Sequence, residues 1–304
     1  MKTTVIHHSA DYDGIFCREI ARKFLPDAEL IGWDFVDKPL AFPSSEVIYV
    51  MDLPIDRVFG FEFRGPDMLI KGTKVGTIGD YKHIVWIDHH KSSIDSHPAS
   101  IPGYRIDGVA ACRLAWQWFT RQGGNYPGGL PIKQDFVERK VEEPIAVRLA
   151  GEYDVWDHRG DGDLEFQFGL DATALTPAGW ECLLSEMAGT YAQEIVHRGK
   201  AAMQCYAKRD ADVMRTRSFR VNWEGLNFLA LNTPRCNSNT YASLDIPETG
   251  HDALMAFFFN GKDWNFSLYH AAHRKDIDLS QIAVKYGGGG HRGACGFRVA
   301  KLPF

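Results

Sequence analysis

Histidines and aspartates gather at four places in the first half of the chain. His7, Asp11 and Asp13 stand at i, i+4 and i+6, with Gly14 behind them to allow a sharp turn into a helix. Asp52 precedes Leu53 and Pro54, Asp88, His89 and His90 are consecutive, and Asp154 lies in Gly-Glu-Tyr-Asp-Val-Trp-Asp. Imidazole and carboxylate donors without thiolate suit manganese, zinc, iron or magnesium. Many carboxylates shared between two sites favour hard octahedral ions, and the imidazoles move the choice from Mg2+ towards Mn2+. Two such ions about 3.5–4 Å apart can clamp the attacking and leaving oxygens of a phosphoryl group, and a water bound to them becomes a hydroxide near neutral pH. A phosphodiester is anionic and repels hydroxide, so metal charge is a direct remedy. The chemistry these residues predict is metal-assisted hydrolysis of a phosphate ester.

Short strands must carry these groups. Thr3 to Ile6, Leu30 to Trp33, Val47 to Met51 and Ile84 to Ile87 are apolar runs of strand type. Ile15 to Leu25 and Ala110 to Phe119 have apolar residues near helical spacing. Alternating strands and helices predict an α/β fold with a parallel sheet, whose ligands sit at the carboxyl ends of the strands. Three of the runs end in imidazole or carboxylate groups: the first in His7, His8, Asp11 and Asp13, the third in Asp52, the fourth in Asp88, His89 and His90. Parallel strands would bring them to one sheet edge. Residues 122–135 are rich in Gly and Pro and read as an exposed loop. Residues 181–215 read as helical. From Phe219 onward, Phe228 to Leu231, Ala253 to Phe259 and Trp264 to Leu268 read as strands, and Ser280 to Tyr286 as a helix stopping at Gly287. These elements predict a smaller C-terminal α/β unit.

The 304 residues suffice for two domains, and 45% hydrophobic with 24% charged residues is an ordinary soluble balance. A net charge of -5 supplies no global positive field for a long duplex; a short anionic substrate at a local cationic site fits better. Cys17, Cys112, Cys182, Cys205, Cys236 and Cys295 form no Cys-x-x-Cys pair and read as reduced thiols. The N-terminus lacks the apolar core of a signal peptide, and no apolar run reaches the roughly 18 residues of a membrane span. A cytoplasmic location is expected.

In the C-terminal unit, Gly287 to Gly290 precede His291 and Arg292. Consecutive glycines let main-chain N–H groups approach an anion closely, which makes Gly288, Gly289, Gly290, His291 and Arg292 candidates for gripping a substrate phosphate. A flexible turn between helix and strand is the alternative. Arg274 and Lys275 could add charge, and Asn237 could meet a base or a phosphate.

In this order, these motifs resemble the DHH phosphoesterases that carry a DHHA1 C-terminal domain, the group of RecJ-type nucleases and nano-RNases. His7-x-x-x-Asp11-x-Asp13 is similar to the first motif, Asp52 to the second, Asp88-His89-His90 to the third and Asp154 to the fourth. The glycine run with His291, followed by Ala294-Cys295-Gly296-Phe297, is similar to the DHHA1 signature. One departure stands out. Where many DHHA1 domains carry an arginine after a Ser-Leu pair, this chain has Tyr269, which could stack on a base but offers no charged fork.

The resemblance implies that His7, Asp11 and Asp52 hold one metal and that Asp13, Asp52, His89 and Asp154 hold the other, with Asp52 as the bridge. It implies that Asp88 orients His89 or its loop, and that His90 faces the phosphate as donor or general acid. Singly, each residue also has an ordinary structural use. Asp11 and Asp13 could be a helix N-cap and a first-turn acid, and Asp52 a turn cap. Asp157 competes with Asp154, while His8, His83 and His158 are expected to be structural. The expected function is hydrolysis of short oligonucleotides or dinucleotides with two divalent metals, Mn2+ first and Mg2+ or Co2+ as substitutes. The rivals are a 3′-phosphoadenosine 5′-phosphate phosphatase, a cyclic-dinucleotide hydrolase, a pyrophosphatase and a nucleotide-binding sensor. The expected layout is a metal-binding domain over 1–185, a helical linker over 186–215 and a substrate-binding domain over 216–304. No membrane partner is expected, and a homodimer is compatible with the sequence.

Overall fold

The computed structural model describes residues 2–80, 83–121, 131–185, 189–234, 236, 238–241, 244 and 247–304. The chain divides into two compact units, Met1–Ala202 and Met203–Phe304.

The first unit contains β1 (Thr3–His8), α1 (Tyr12–Phe24), β2 (Glu29–Trp33), β3 (Val47–Met51), α2 (Ile55–Phe59), β4 (Glu62–Arg64), β5 (Asp67–Ile70), β6 (Thr73–Thr77) and β7 (Ile84–Ile87). After these come α3 (Lys91–Ser96), α4 (Ala111–Arg121), α5 (Lys133–Val137), α6 (Ile145–Asp154), α7 (Asp163–Asp171) and α8 (Pro177–Ser185). The long α9 (Thr190–Arg217) runs from this unit into the second.

Four strands form a parallel sheet in the order β2-β1-β3-β7. Both faces are covered, which is why these strands read as unbroken apolar runs. Val5, Tyr49, Met51, Val85 and Ile87 pack under α1, α4 and α6. Their sequence neighbours Ile6, Ile48, Val50, Ile84 and Trp86 pack on the opposite face with Leu53, Ile55, Phe59 and Met68. Register decides what the sheet presents at its carboxyl edge. His7 pairs with Met51, and Met51 with Ile87. The next residues, His8, Asp52 and Asp88, therefore stand level on three adjacent strands.

The sequence reading did not anticipate the small antiparallel sheet β4-β5-β6 inserted before β7. Its strands, Glu-Phe-Arg, Asp-Met-Leu-Ile and Thr-Lys-Val-Gly-Thr, are short and mixed in composition and lack the unbroken apolar runs of the parallel sheet. Within the stretch read as a loop, residues 133–135 belong to α5, and 122–130 lie outside the described residues.

The second unit is a six-stranded sheet of order β12-β13-β11-β10-β9-β8. Its strands are β8 (Phe219–Trp223), β9 (Leu226–Asn232), β10 (Ala253–Phe259), β11 (Trp264–His270), β12 (Gly289–His291) and β13 (Ala294–Val299), with α10 (Ser280–Lys285) beside them. Only β9 and β10 pair in parallel. Phe228, Met255, Phe266, Leu268 and Phe297 form its core under α10. No helix among the described residues is long and apolar enough to cross a membrane.

Candidate metal centre

The loop from β1 into α1 supplies the first group of side chains. Asp11 is the N-cap of α1: its Oδ1 accepts from Gly14 N at 3.0 Å, while its Oδ2 lies 2.8 Å from His8 Nδ1. Capping and ligation are thus compatible, because each uses a different oxygen. Gly14 has a close-packing role and an ordinary negative φ. A Cβ there would stand 2.1 Å from the His8 carbonyl oxygen, so glycine is what lets α1 press onto the end of β1. Gly14→Ala is expected to cost about 1–3 kcal/mol through overpacking and to weaken Mn2+ binding by displacing His8. Thermal melts and metal titration would check this, and a variant with wild-type values in both would refute it.

Asp13 points the other way, into the protein. Its two carboxylate oxygens accept from Ala111 N at 2.8 Å and Cys112 N at 2.7 Å, the first two amides of α4. Asp13 therefore belongs to the first turn of one helix and caps another, where the partial positive charge of the helix end favours an anion.

Asp52 has φ +59, a left-handed conformation rare for a residue with a side chain, held by its N–H on Ile87 O at 2.9 Å. Such strain at the end of a central strand marks a constrained site. The carboxylate faces two ways. Oδ2 lies 3.4 Å from His8 Nδ1, and Oδ1 lies 3.4 Å from His89 Nε2 and 3.9 Å from His90 Nδ1.

His89 Nε2 is also 3.4 Å from Asp154 Oδ2 and 3.7 Å from Asp13 Oδ2. Asp13, Asp52, His89 and Asp154 thus converge around one ring nitrogen. Asp154 is the last residue of α6, and Asp157 turns away to pair with Arg159. Ligand atoms of His8, Asp11 and Asp52, of Asp13, His89 and Asp154, and of Asp52, His89 and His90 each lie within 4.8 Å of one another.

The structure therefore gathers Asp11, Asp13, Asp52, His89, His90 and Asp154, and it brings His8, in place of His7, beside them. His7 lies outside these clusters, with its Nδ1 on the His8 carbonyl oxygen at 2.7 Å and its ring packed against Gly32. His8, expected to be structural, stands in the cluster. Consecutive strand residues face opposite sides, so only one of the two histidines can do so. Asp34, just past β2, also borders the cluster. It sits 3.4 Å from His8 Nε2. The rule that drew attention to Asp52 and Asp88, an acid closing an apolar strand, applies equally to Trp33-Asp34.

Asp88 is fully buried. Its Oδ1 accepts from His89 N at 2.8 Å and bonds His90 Nδ1 at 2.7 Å. It holds the loop and the His90 ring; the His89 ring is held by other groups. His158 bonds Asp163 at 2.5 Å, a structural use, and His83 is exposed.

The donor set fits a pair of cations. Asp154 Oδ2 and Asp88 Oδ2 are buried with no hydrogen-bond partner among the described residues, and the His8 ring nitrogens face carboxylates on both sides. Such buried oxygens are costly unless a cation or water meets them. Charge balance points the same way. Burial, then the Asp52 and Asp154 charges, lift the Asp13 carboxyl well above the carboxylate range. Burial, opposed by His89 and reinforced by Asp52 and Asp11, pushes Asp154 up to about 7, although 24% of its side chain reaches solvent. Burial disfavours charge on His8, but Asp11, Asp34 and Asp52 outweigh it and push the ring up to about 12. Without metal, protons stand in for the missing positive charge.

This has a measurable consequence. The folded protein keeps the Asp154 proton to about pH 7, while an unfolded chain releases it near 3.8, so folded molecules bind more protons in that window. Stability should fall as pH rises through it. Metal-free Asp154→Asn is expected to melt above wild type at pH 8, with the difference gone by about pH 4. Equal melting temperatures at pH 8 would contradict the assignment.

No family model matches the chain, and no curated protein matches it. Among solved structures it is similar to the DHH domain of a protein described as a member of a ribosomal-protein family. The two are 11% identical over 98% of this chain and 82% of that one, with a TM-score of 0.51. The chain has the DHH-domain fold. It is also similar to PggH, a pGpG-specific phosphodiesterase from Vibrio cholerae (14% identical, 99% of this chain and 94% of that one, TM-score 0.49). RecJ from Thermus thermophilus in complex with Mn2+ is similar as well (14% identical, 98% of this chain, TM-score 0.49), and the chain covers 49% of its length.

The C-terminal glycines have mostly structural reasons. Gly287 and Gly290 adopt φ +78 and +128, and a Cβ on Gly288 would stand 2.0 Å from Gly296 O. Gly289 alone of the four has neither a positive φ nor a neighbour within 4 Å of such a Cβ. Gly289 to His291 form edge strand β12, paired with β13. Arg292 donates to the Asp276 carbonyl, and Arg274 pairs with Asp252 and Asp276. The Tyr269 hydroxyl bonds the Cys236 carbonyl at 3.0 Å, and its ring packs on a small core with Tyr241 and Leu254, which gives it a packing role. Asn237 lies outside the described residues.

Proposed function

We propose that the chain is a metal-dependent phosphoesterase that hydrolyses short oligonucleotides or dinucleotides. The observation that carries this reading is the Asp52 carboxylate, which gives one oxygen to the His8 side and the other to the His89 side. A single carboxylate placed between two clusters of ligand atoms is the arrangement a two-metal phosphoryl-transfer site needs.

In this reading His8, Asp11 and Asp52 hold one ion, and Asp13, Asp52, His89 and Asp154 hold the other. The imidazoles make Mn2+ the preferred metal, with Mg2+ or Co2+ as substitutes. When bound, the ions would activate a water and supply Lewis-acid charge for the phosphoryl oxygens. The chain's own groups do the rest. Asp88 is a positioning residue that holds His90 through Nδ1, and His90, 25% exposed, donates a proton to a phosphoryl or leaving oxygen. The strained Asp52 backbone and the α4 amides beneath Asp13 keep the carboxylates in place before substrate arrives. In the C-terminal unit, Gly288, Gly289, Gly290, His291 and Arg292 contact a substrate phosphate. Gly289 is the position whose backbone an anion can approach without displacing a packed neighbour.

The test is a substrate panel running from bis-nitrophenyl phosphate through dinucleotides to 24-mers, assayed with Mn2+, Mg2+ and chelator. Mononucleotide release from the shortest substrates, abolished by chelator, is expected. Release of inorganic phosphate alone would replace the reading with a monoesterase, and tight binding without turnover would replace it with a sensor.

A further inference from the structure

We infer that Asp34 is a positioning residue which fixes His8 as a ligand through Nδ1, by accepting the proton of Nε2. This deepens the metal reading and rests on it. His8 Nδ1 faces Asp11 at 2.8 Å and Asp52 at 3.4 Å, so this nitrogen is the one turned into the ligand cluster. The other nitrogen faces Asp34 Oδ1 at 3.4 Å. A histidine that binds a metal through one nitrogen carries its proton on the other, and a carboxylate there selects the tautomer, orients the ring and raises the basicity of the ligating atom.

The turn after β2 is built to hold that carboxylate. Asp34 Oδ1 also accepts from Phe35 N at 2.7 Å. Asp34 N donates to Asp37 Oδ2 at 2.9 Å, and Asp37 N donates to Asp34 O at 2.7 Å. Phe35, half exposed, sets its ring against His8, with centroids 5.6 Å apart and planes at 73°, and buried Trp33 backs it at 5.6 Å. The His8 ring is thus bounded by carboxylates on both nitrogens and an aromatic ring at its side. Register explains the placement: His8 pairs with Trp33, so the residue after Trp33 lies just beyond His8 at the sheet edge.

The test is Mn2+ titration of the full chain, followed by electron paramagnetic resonance, for wild type, Asp34→Ala, Asp34→Asn and Asp37→Ala. Wild type is expected to bind two ions. Asp34→Ala should bind one of them about 10–100-fold more weakly, the range for loss of a residue that supports a ligand. Asp34→Asn, which keeps an acceptor, should recover part of that loss. Asp37→Ala, which removes the carboxylate that accepts from Asp34 N but leaves the Asp34 side chain, should lose less affinity than Asp34→Ala. With Co2+ in place of Mn2+, a hyperfine-shifted, exchange-protected imidazole N–H is expected from His8 in wild type, and rapid exchange of it in Asp34→Ala. Wild-type affinity in Asp34→Ala, equal loss in Asp37→Ala, or coordination through His8 Nε2 would overturn the role of Asp34 alone. A wild-type chain that binds no Mn2+ would overturn the metal centre and this inference together.

Discussion

Asp52→Asn is expected to lower kcat/KM for a dinucleotide on the order of 10³-fold, about 4 kcal/mol of transition-state stabilisation, with Mn2+ at saturation. The amide is nearly the same size, so the fold should survive. What it loses is the second anionic oxygen. Asp52 Oδ2 faces His8 and Oδ1 faces His89, and an amide can offer an oxygen to one side only. The nitrogen then presents protons to the other side, where they repel a cation. The variant should also bind fewer than two Mn2+ per chain, and circular dichroism with a thermal melt would show that folding is intact. Burial works against charge on Asp52, but hydrogen bonds from His8 and His89 hold its carboxyl below the usual range, so the group is ionised whenever the protein is folded near neutral pH. A variant turning over dinucleotide at the wild-type rate would remove Asp52 from the mechanism and with it the two-metal reading.

Glu143→Ala should have the largest effect on stability, about 3–5 kcal/mol, the cost of leaving a buried charge without its partner. Arg113 Nε donates to both Glu143 oxygens, at 3.0 and 3.1 Å, and both side chains are only 3% exposed. Burial raises the Glu143 carboxyl despite the adjacent guanidinium, a sign of how much desolvation this pair absorbs. Arg113 lies one residue beyond the two amides that hold Asp13. Glu143 lies just before α6, whose last residue is Asp154. Gly151 in α6 leaves the space Arg113 fills, since a Cβ there would stand 2.6 Å from its side-chain carbons. The ion pair therefore ties the start of α4, which holds Asp13, to the start of α6, the helix that ends in Asp154, and metal affinity should fall along with stability. A double substitution to apolar residues, Arg113→Met with Glu143→Leu, should restore much of the loss, because the unpaired charge is then gone. A denaturant midpoint for Glu143→Ala equal to that of wild type would refute this account.

Much of the candidate cluster was legible in the chain. Short apolar runs that alternate with helical patterns and end in Asp or His fit strands of a covered parallel sheet with polar groups at its carboxyl edge. Asp52, the Asp88-His89-His90 triplet and Asp154 could be placed together on that ground and on their resemblance to a known order of motifs. In the C-terminal unit, the strands around Phe228, Met255 and Phe266 were legible from their apolar runs. β12 and β13 were not; β12 is three residues, two of them glycine. β8 alternates apolar and polar residues, Phe-Arg-Val-Asn-Trp, a strand signal less conspicuous than the unbroken apolar runs.

By itself the sequence determined the chemical inventory: which imidazole and carboxylate donors exist, and that several of them follow directly on apolar strands. Only the tertiary structure sets His8 rather than His7 beside Asp11 and Asp52, because adjacent strand residues face opposite sides and the outcome depends on which side the neighbouring strands present their carboxylates. The same holds for Asp34, which meets His8 through the pairing of β1 with β2, and for Asp13, whose anion is met by helix amides 98 and 99 residues away. Distance along the chain carries no record of such meetings. They are set by sheet register and by where helix ends arrive.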